Sequence, residues 1–344
     1  MSSFTKSYLD KLSLHPSVAW SLSVCSEAHG LEELWSKTRP ELTSQLKESA
    51  LVQSAESSNR IEGVEVEKSR LKPLVLGHAK PRDRSEEEIF GYRKALEHIH
   101  KKKIEITPNT IKKLHKIAQG GLISDAGKWK TKDNEIIEFS TSGDRKVRFK
   151  CVSAKDTPKA IKILCENYNY HITQQKIPEL LIAANFILDF LCIHPFRDGN
   201  GRVSRLLTLA CLYQINYQVG RFISLERIIE DSKIDYYEAL KKSSNNWHES
   251  KHDLFSWWSF FLSHIRSAYQ ELKERVELAP IGGTKTYLIR QSILEQIGDF
   301  QISTILNLNP SLDREIVKKT LTQMKKEKLI LQIGKGRGSR WKLA

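Results

Sequence analysis

Apolar residues recur along most of this chain at helical spacing, and the places where that periodicity stops mark its elements. After Pro40, Leu46, Leu51 and their apolar neighbours predict a mostly helical Glu41–Ser58. Ser85, followed by Glu86, Glu87 and Glu88, reads as an N-cap with first-turn acids and predicts a helix to about His100. Thr107-Pro108 opens another, with Ile111, Leu114 and Ile117 on one face and a stop at Gly120-Gly121. Thr157-Pro158 begins a helix to about Tyr170, and Pro178-Glu179 begins one over Leu180–Ile193. That segment is apolar nearly all round, which places it at the centre of a bundle. Beyond a polar loop, Val203, Leu206, Leu207 and Ala210 follow the i, i+3, i+4, i+7 rule. Helices over Asp231–Ser243 and Asp253–Leu278 follow, the second carrying an aromatic stripe, Phe255, Trp257, Trp258, Phe260 and Phe261, that reads as packing.

Two stretches depart from this pattern. In Ser124–Lys150, Trp129 and Thr131 face Ile136 and Ile137 across Lys132–Glu135, which predicts a short hairpin, and Asp144-Arg145 predicts a second turn. A small exposed hairpin keeps an edge free for an extended peptide. Pro280–Gly283 reads as a linker. After it come helices over Thr286–Ile297 and Ile302–Leu306, a turn at Asn309-Pro310, and a basic amphipathic helix over Asp313–Lys328. Leu329, Leu331 and Ile333 then alternate, break at a Gly-Lys-Gly-Arg-Gly run, and resume at Arg340-Trp341. Three helices followed by a hairpin is the order of a winged helix-turn-helix. The expected fold is therefore mainly α: a helical bundle with a small β-hairpin, then a winged-helix domain, divided as 1–84, 85–279 and 284–344.

Composition narrows the setting. With 344 residues, 40% hydrophobic and 28% charged, the chain can bury a sizeable core. Its longest apolar run is broken by Asn185 and Asp189 and is too short to cross a bilayer, so no membrane is expected. The N-terminus lacks an apolar signal core, and the five cysteines form no CxxC pair, which fits free thiols in a reducing cytoplasm. The net charge of +14 is uneven: residues 281–344 hold 12 Lys or Arg against 5 Asp or Glu, half of the excess. DNA is the first partner this suggests for residues 313–342, through Arg314, Lys318, Lys319, Lys325 and Lys326 with Lys335, Arg337 and Arg340 in the wing. Winged helices also serve as protein-interaction modules.

The chemistry concentrates in the polar loop His194–Arg205, HPFRDGNGRVSR, which ends on a helix N-terminus. Gly199 and Gly201 allow close backbone approach, and with Asn200 they expose amides that can cradle an anion. Arg202 and Arg205 can bind further phosphate oxygens, and Asp198 suits Mg²⁺ held jointly with phosphates. His194 can take a proton near neutral pH. Kinase, nucleotidyltransferase and phosphohydrolase chemistry all stay open on these grounds. His98, His100 and His115 lack a convincing fellow ligand, so they read as surface or satisfied core histidines. Ser58-x-x-x-Glu62-Gly63, taken alone, is a solvated helix end.

The loop resembles the Fic family signature, His-x-Phe-x-(Asp/Glu)-Gly-Asn-Gly-Arg-x-x-Arg, at every specified position. The resemblance spans roughly Glu32–Leu278 and is strongest at Phe186–Leu207. It implies AMPylation, the transfer of AMP from ATP to a Ser, Thr or Tyr hydroxyl of a target protein and of the chain itself. His194 would be the base, Phe196 the loop's anchor, Asp198 the Mg²⁺ ligand (Mn²⁺ being able to substitute), Gly199, Asn200 and Gly201 the anion hole, and Arg202 and Arg205 phosphate ligands. A kinase-like branch has lysine where this chain has Gly201, so nucleotidyl transfer is favoured. Ser58–Gly63 resembles the family's inhibitory motif, which implies that Glu62 pairs with Arg205 and obstructs the ATP γ-phosphate. The same glutamate has a suggested role in removing AMP. Thr131, Lys132, Ile136 and Ile137 correspond to the target-docking flap, and a homodimer is implied. The alternative reading is a nucleotide-sensing, DNA-binding transcriptional regulator.

Overall fold

The computed structural model describes residues 3–344 except 11, 39, 102, 121–123, 140–144, 279–283, 297, 310–311 and 335. Contacts divide the chain into two compact units, Met1–Leu272 and Lys273–Ala344. The fold is mainly α-helical with few short strands, as the periodicity predicts. The predicted linker at 280–283, the stop at Gly121, and the turns at Asp144 and Pro310 involve residues outside those described.

Unit 1 opens with α1 (Lys6–Leu9), α2 (Pro16–Thr38), α3 (Pro40–Ile61) and α4 (Lys68–Val75), followed by α5 (Arg84–Lys101) and α6 (Pro108–Ala118). A hairpin of β1 (Glu135–Phe139) and β2 (Arg145–Lys150) precedes α7 (Thr157–Gln174), α8 (Glu179–Ile193) and α9 (Asn200–Gln214). Then come α10 (Leu225–Asp231), α11 (Lys233–Ser244) and α12 (Phe255–Leu278), of which residues to Leu272 belong to this unit.

The centre of the unit is α8, buried over nearly its whole length and packed against α7, α9 and α11. Its two polar interruptions have specific partners. Asn185 Oδ1 accepts from Trp258 Nε1 (2.8 Å), and Asp189 Oδ1 accepts from Trp247 Nε1 (2.6 Å), while the Ala184 carbonyl accepts from Trp257 Nε1 (2.7 Å). Three tryptophans thus bury their rings while their single polar atoms reach acceptors on α8. Asp189 also receives the amide (3.0 Å) and hydroxyl (2.6 Å) of Ser3, so the start of the chain is tied to the central helix. Trp257, Trp258, Phe260 and Phe261 are buried and Phe255 is exposed, so the aromatic stripe is packing.

Three local expectations change. α5 starts at Arg84, and the carboxylate that caps it is Asp83, which accepts from the Glu86 amide (2.9 Å); Ser85 lies in the first turn. The helix expected over Asp231–Ser243 is α11 and starts two residues later, at Lys233, after a separate helix α10 that ends before Ser232, whose hydroxyl donates to the Ile228 carbonyl (2.8 Å). The hairpin pairs 135–139 with 145–150, so Trp129, Thr131 and Lys132 are not strand residues. The Lys132–Glu135 turn is overridden because Lys130 and Asn134 are drawn into bonds with the loop after α8.

Unit 2 holds α13 (Thr284–Leu294), α14 (Ile302–Leu308) and α15 (Arg314–Lys326), then the antiparallel strands β3 (Ile330–Ile333) and β4 (Arg340–Leu343). Its core joins Ile289, Ile305, Val317, Leu321, Ile330 and Trp341. Phe300, between α13 and α14, exchanges backbone hydrogen bonds of 2.8 Å with Trp341, an isolated bridge beside the hairpin.

Gly91 marks a close approach of α5 to the end of α6. A Cβ there would stand 2.6 Å from the Ala118 carbonyl oxygen and 2.9 Å from the Gly120 nitrogen. In an uncrowded helix, Gly→Ala stabilises by about 1 kcal/mol. Here Gly91→Ala is expected to destabilise by about 1–3 kcal/mol, read as a lower urea midpoint. An unchanged or higher midpoint would contradict the packing described.

Candidate functional site

The loop between α8 and α9 is shaped by its two ends. α8 closes at His194, whose backbone is left-handed (φ 52°, ψ 61°), and α9 opens after Gly199 (φ 77°). A left-handed non-glycine residue costs on the order of 1–3 kcal/mol and persists only where its surroundings over-determine it. They do so here. The Lys130 amide donates to the Pro195 carbonyl (2.9 Å) and Lys130 Nζ to the Ile193 carbonyl (3.1 Å). Asn134 Nδ2 reaches the carbonyls of His194 (3.3 Å) and Phe196 (3.1 Å). Asn200 closes the loop on itself, accepting from the Phe196 amide (2.9 Å) and donating to its carbonyl (2.8 Å).

Beneath the loop, the buried Phe196 ring stacks on His115 with centroids 3.8 Å apart. His115 Nδ1 accepts from the Gly127 amide (2.8 Å), which leaves Nε2 to donate to the Asp198 carbonyl (3.1 Å). Burial holds His115 near pKa 4, the neutral state this arrangement needs. It is a satisfied core histidine, and it seats the loop.

The His194 imidazole faces a cavity of about 480 Å³. Its Nδ1 lies 3.3 Å from the Leu191 carbonyl, which can only accept, so Nδ1 carries the proton and Nε2 offers a free lone pair. Burial lowers its pKa to about 4, the Leu191 hydrogen bond opposing the shift. The same cavity is lined by Glu62, Gly201 and Arg205, by Ile136 and Ile137 of β1, and by Tyr236 and Tyr237 of α11.

Arg205 is buried on α9. Its Nε donates to Ser58 Oγ (2.8 Å) and its Nη2 to the Ser58 carbonyl (2.8 Å) and to Glu62 Oε1 (2.7 Å). Glu62 also crowds the start of α9: a Cβ on Gly201 would lie 2.2 Å from Glu62 Oε1. The carboxylate therefore stands against Gly201 in the first turn of α9, the helix end where an anion is favoured. Arg202 is buried too, but it turns toward Glu88 (2.6 Å) and stays 3.9 Å from Asp198. Its contacts bind α9 to α5.

Asp198 accepts from the Gly199 amide (2.7 Å), and its side chain is 64% exposed. Among the described residues no group of three or more His, Cys, Asp or Glu could hold a metal. One accessible hard carboxylate beside an amide cradle fits Mg²⁺ whose remaining ligands are phosphates and water.

Ser58, Glu62, His194, Gly201, Arg205, Ile136 and Ile137 are thus gathered at or beside one cavity, while Phe196 and Asn200 hold the loop's shape. Thr131 and Lys132 lie outside both strands. Lys130, Asn134, His115 and Glu88 were not legible as site residues, because their partners are 63, 62, 83 and 114 positions away.

Residues 105–212 match the sequence model of the Fic/DOC family. A ribonucleoside-diphosphate reductase small chain of Ostreid herpesvirus 1 is 28% identical over 120 residues, 33% of this chain and 20% of that protein. The chain thus spans about a fifth of that relative's length. A Fido domain-containing protein of Dictyostelium discoideum is 26% identical over 115 residues, 33% of this chain and 76% of that protein. Among solved structures, a Fic family protein from Desulfovibrio desulfuricans aligns over 97% of both chains at 17% identity with a TM-score of 0.64. A Fic domain containing signaling protein from Bacteroides thetaiotaomicron covers 77% of this chain and 100% of its own, at 18% identity and TM-score 0.61. Fic-1 from C. elegans covers 76% of this chain and 74% of its own, at 17% identity and TM-score 0.57. The sequence match and the shared fold together support a Fic/Fido domain around the loop. No helix among the described residues is long and apolar enough to cross a membrane.

Burial also lowers the pKa of His100 and His252 to about 4. These groups gain a proton near pH 6.5 when unfolded and only near 4 when folded, so their contribution to stability is complete above 6.5 and is lost as pH falls toward 4. The unfolding free energy is expected to drop between pH 7 and pH 5 by a few kcal/mol in order of magnitude, read as a lower denaturant midpoint, with buried Glu32 and Asp189, raised to about 7 and about 6, offsetting part of it. The drop should be smaller in His252→Asn. A midpoint that rises on acidification would contradict these assignments.

Proposed function

We propose that this chain is a protein adenylyltransferase, moving AMP from ATP to a Ser, Thr or Tyr hydroxyl of a protein, held in check by Glu62. The observation that carries the reading is the shared cavity. The unprotonated Nε2 of His194, the guanidinium of Arg205 and Gly201 at the α9 N-terminus all border it, and the Glu62 carboxylate occupies the place where phosphate charge would sit. The match to the Fic/DOC family over 105–212 supports the same chemistry.

The residues divide the work as follows. His194 Nε2 takes the proton of the acceptor hydroxyl as its oxygen bonds to the α-phosphorus, and the bond from that phosphorus to pyrophosphate breaks. The α9 amides and Arg205 bind phosphate oxygens. Asp198 would hold Mg²⁺, which when bound neutralises phosphate charge. The β1 residues Ile136 and Ile137 border the cavity on the acceptor side. Arg202, engaged by Glu88, supports α9 from below.

Mass spectrometry after incubation with ATP and Mg²⁺ tests this reading. Glu62→Gly should raise AMP incorporation into the protein by about tenfold or more, the scale set by removing a carboxylate that competes for a buried guanidinium. His194→Ala in that background should abolish it. Incorporation that is absent from both proteins, or unchanged by Glu62→Gly, would overturn the reading and leave nucleotide sensing as the function.

For unit 2 we propose a winged helix that contacts DNA. α15 exposes Arg314, Lys319 and Lys326, and β4 exposes Arg340 and Lys342, on a core that buries Val317, Leu321 and Trp341. Duplex DNA should shift in a mobility assay at low salt, and Lys319→Glu/Lys326→Glu should weaken that shift by about tenfold. Absence of any low-salt shift would remove DNA as the partner.

A further inference from the structure

The hairpin carries a residue that the reaction above does not use. In the β1–β2 register Ile136 faces Phe149 and Ile137 faces Val147, so Arg148 is opposite no residue: it is the extra residue of a β-bulge. Bulges beside active sites re-aim side chains. Arg148 lines the same cavity as His194 and Arg205. Its Nε is buried without a hydrogen-bond partner, a costly state for a charged donor unless a ligand completes it.

Arg148 also lines a second depression, of about 670 Å³, between the hairpin and residues 241–249. Lys146, Lys150, Lys241 and Lys242 border it. Lys241 is engaged by Glu138 (2.5 Å) and Lys242 by Glu238 (3.6 Å). Lys146, Arg148 and Lys150 form no ion pair within 4 Å among the described residues; Glu138 and Glu135 lie opposite Lys146 and Lys150 across the hairpin, and Glu249 also borders the groove. A nucleotide in the cavity could meet Arg148 but would have no use for the lysines beyond it. A polypeptide running along the groove into the cavity would meet all three cations. Lys146 and Lys150 are paired with Glu138 and Glu135, three apart on β1, so the bulge at Arg148 turns the two lysines to opposite faces of the hairpin, yet both border the groove.

We infer that Arg148 and this basic groove select acceptor segments carrying Asp or Glu beside the hydroxyl that is modified. Arg148 is a specificity-determining residue that reads an acidic side chain next to the acceptor, and Lys146 and Lys150 read acids further along. The function of this contact rests on the adenylyl-transfer reading, but the contact itself can be measured without ATP.

The test uses the full-length Glu62→Gly protein and fluorescently labelled peptides of equal length, each with one central Thr flanked by acidic, neutral or basic residues. Anisotropy should show the acidic peptide binding about tenfold tighter than the neutral one, with the gap narrowing as salt rises. Arg148→Ala should erase most of the preference, Arg148→Lys should keep part of it, and Arg148→Glu should turn it toward the basic peptide. A merely structural role would not reverse the preference. ATP affinity, measured separately with a fluorescent analogue, should move less than about twofold in Arg148→Ala, since the groove lies outside the phosphate cradle. Equal binding of the three peptides would overturn the inference. So would loss of ATP affinity in Arg148→Ala with peptide preference intact, which would make Arg148 a nucleotide ligand. If acidic peptides bind as expected but take up no AMP, the transfer reading fails and the docking surface stands.

Discussion

A guanidinium inside a helical core must be compensated, because an unpaired buried charge costs several kcal/mol. Arg205 lies on α9, 3% exposed, and its hydrogen bonds among the described residues go to the hydroxyl and carbonyl of Ser58 in α3 and the carboxylate of Glu62 just past its end. This couples two elements that are 147 residues apart in sequence. The C-terminal turn of α3 must sit over the N-terminus of α9, the end whose amides and dipole favour an anion. In this structure the anion provided is the chain's own.

The same pairing explains why α3 is held so firmly from its other sides. Ser54 Oγ donates to Ser224 Oγ (2.9 Å), Lys233 Nζ donates to the Ile61 carbonyl at the helix end (2.8 Å), and Arg60 reaches Glu230 (3.2 Å). α10 and α11 thus act on the segment that carries Glu62. The break at Ser232 between α10 and α11 supplies Lys233 at the point where α3 ends. The loop after α8 is fixed by a separate set of bonds from Lys130, Asn134 and His115, so His194 keeps its geometry independently of α3.

Much of this could be read in the chain. The apolar run of α8, the Thr107 and Pro178 starts, and the loop 194–205 follow local rules that a sequence displays directly. What it does not display is which of several local options tertiary contacts choose. Asp83 and Ser85 are both able to cap α5, and the geometry at Glu86 selects Asp83. The stretch around Trp129 alternates like a strand, yet Lys130 is 5% exposed and spends its bonds on the segment after α8, so the hairpin forms further on. Arg202 and Arg205 look equivalent in the signature. Only the distant Glu88 and Glu62 separate an arginine that braces α9 from one that faces the cavity. The bulge at Arg148 leaves no trace in composition or periodicity, since it exists in the register of two strands.

The account stands on the claim that Glu62 holds a phosphate position. Titration calorimetry of ATP and ADP against the wild-type protein and Glu62→Gly tests it most directly. Wild type should bind ATP no better than ADP, because the terminal phosphate meets the Glu62 carboxylate, and Glu62→Gly should gain affinity for ATP selectively. Equal ATP affinity in the two proteins would contradict the claim.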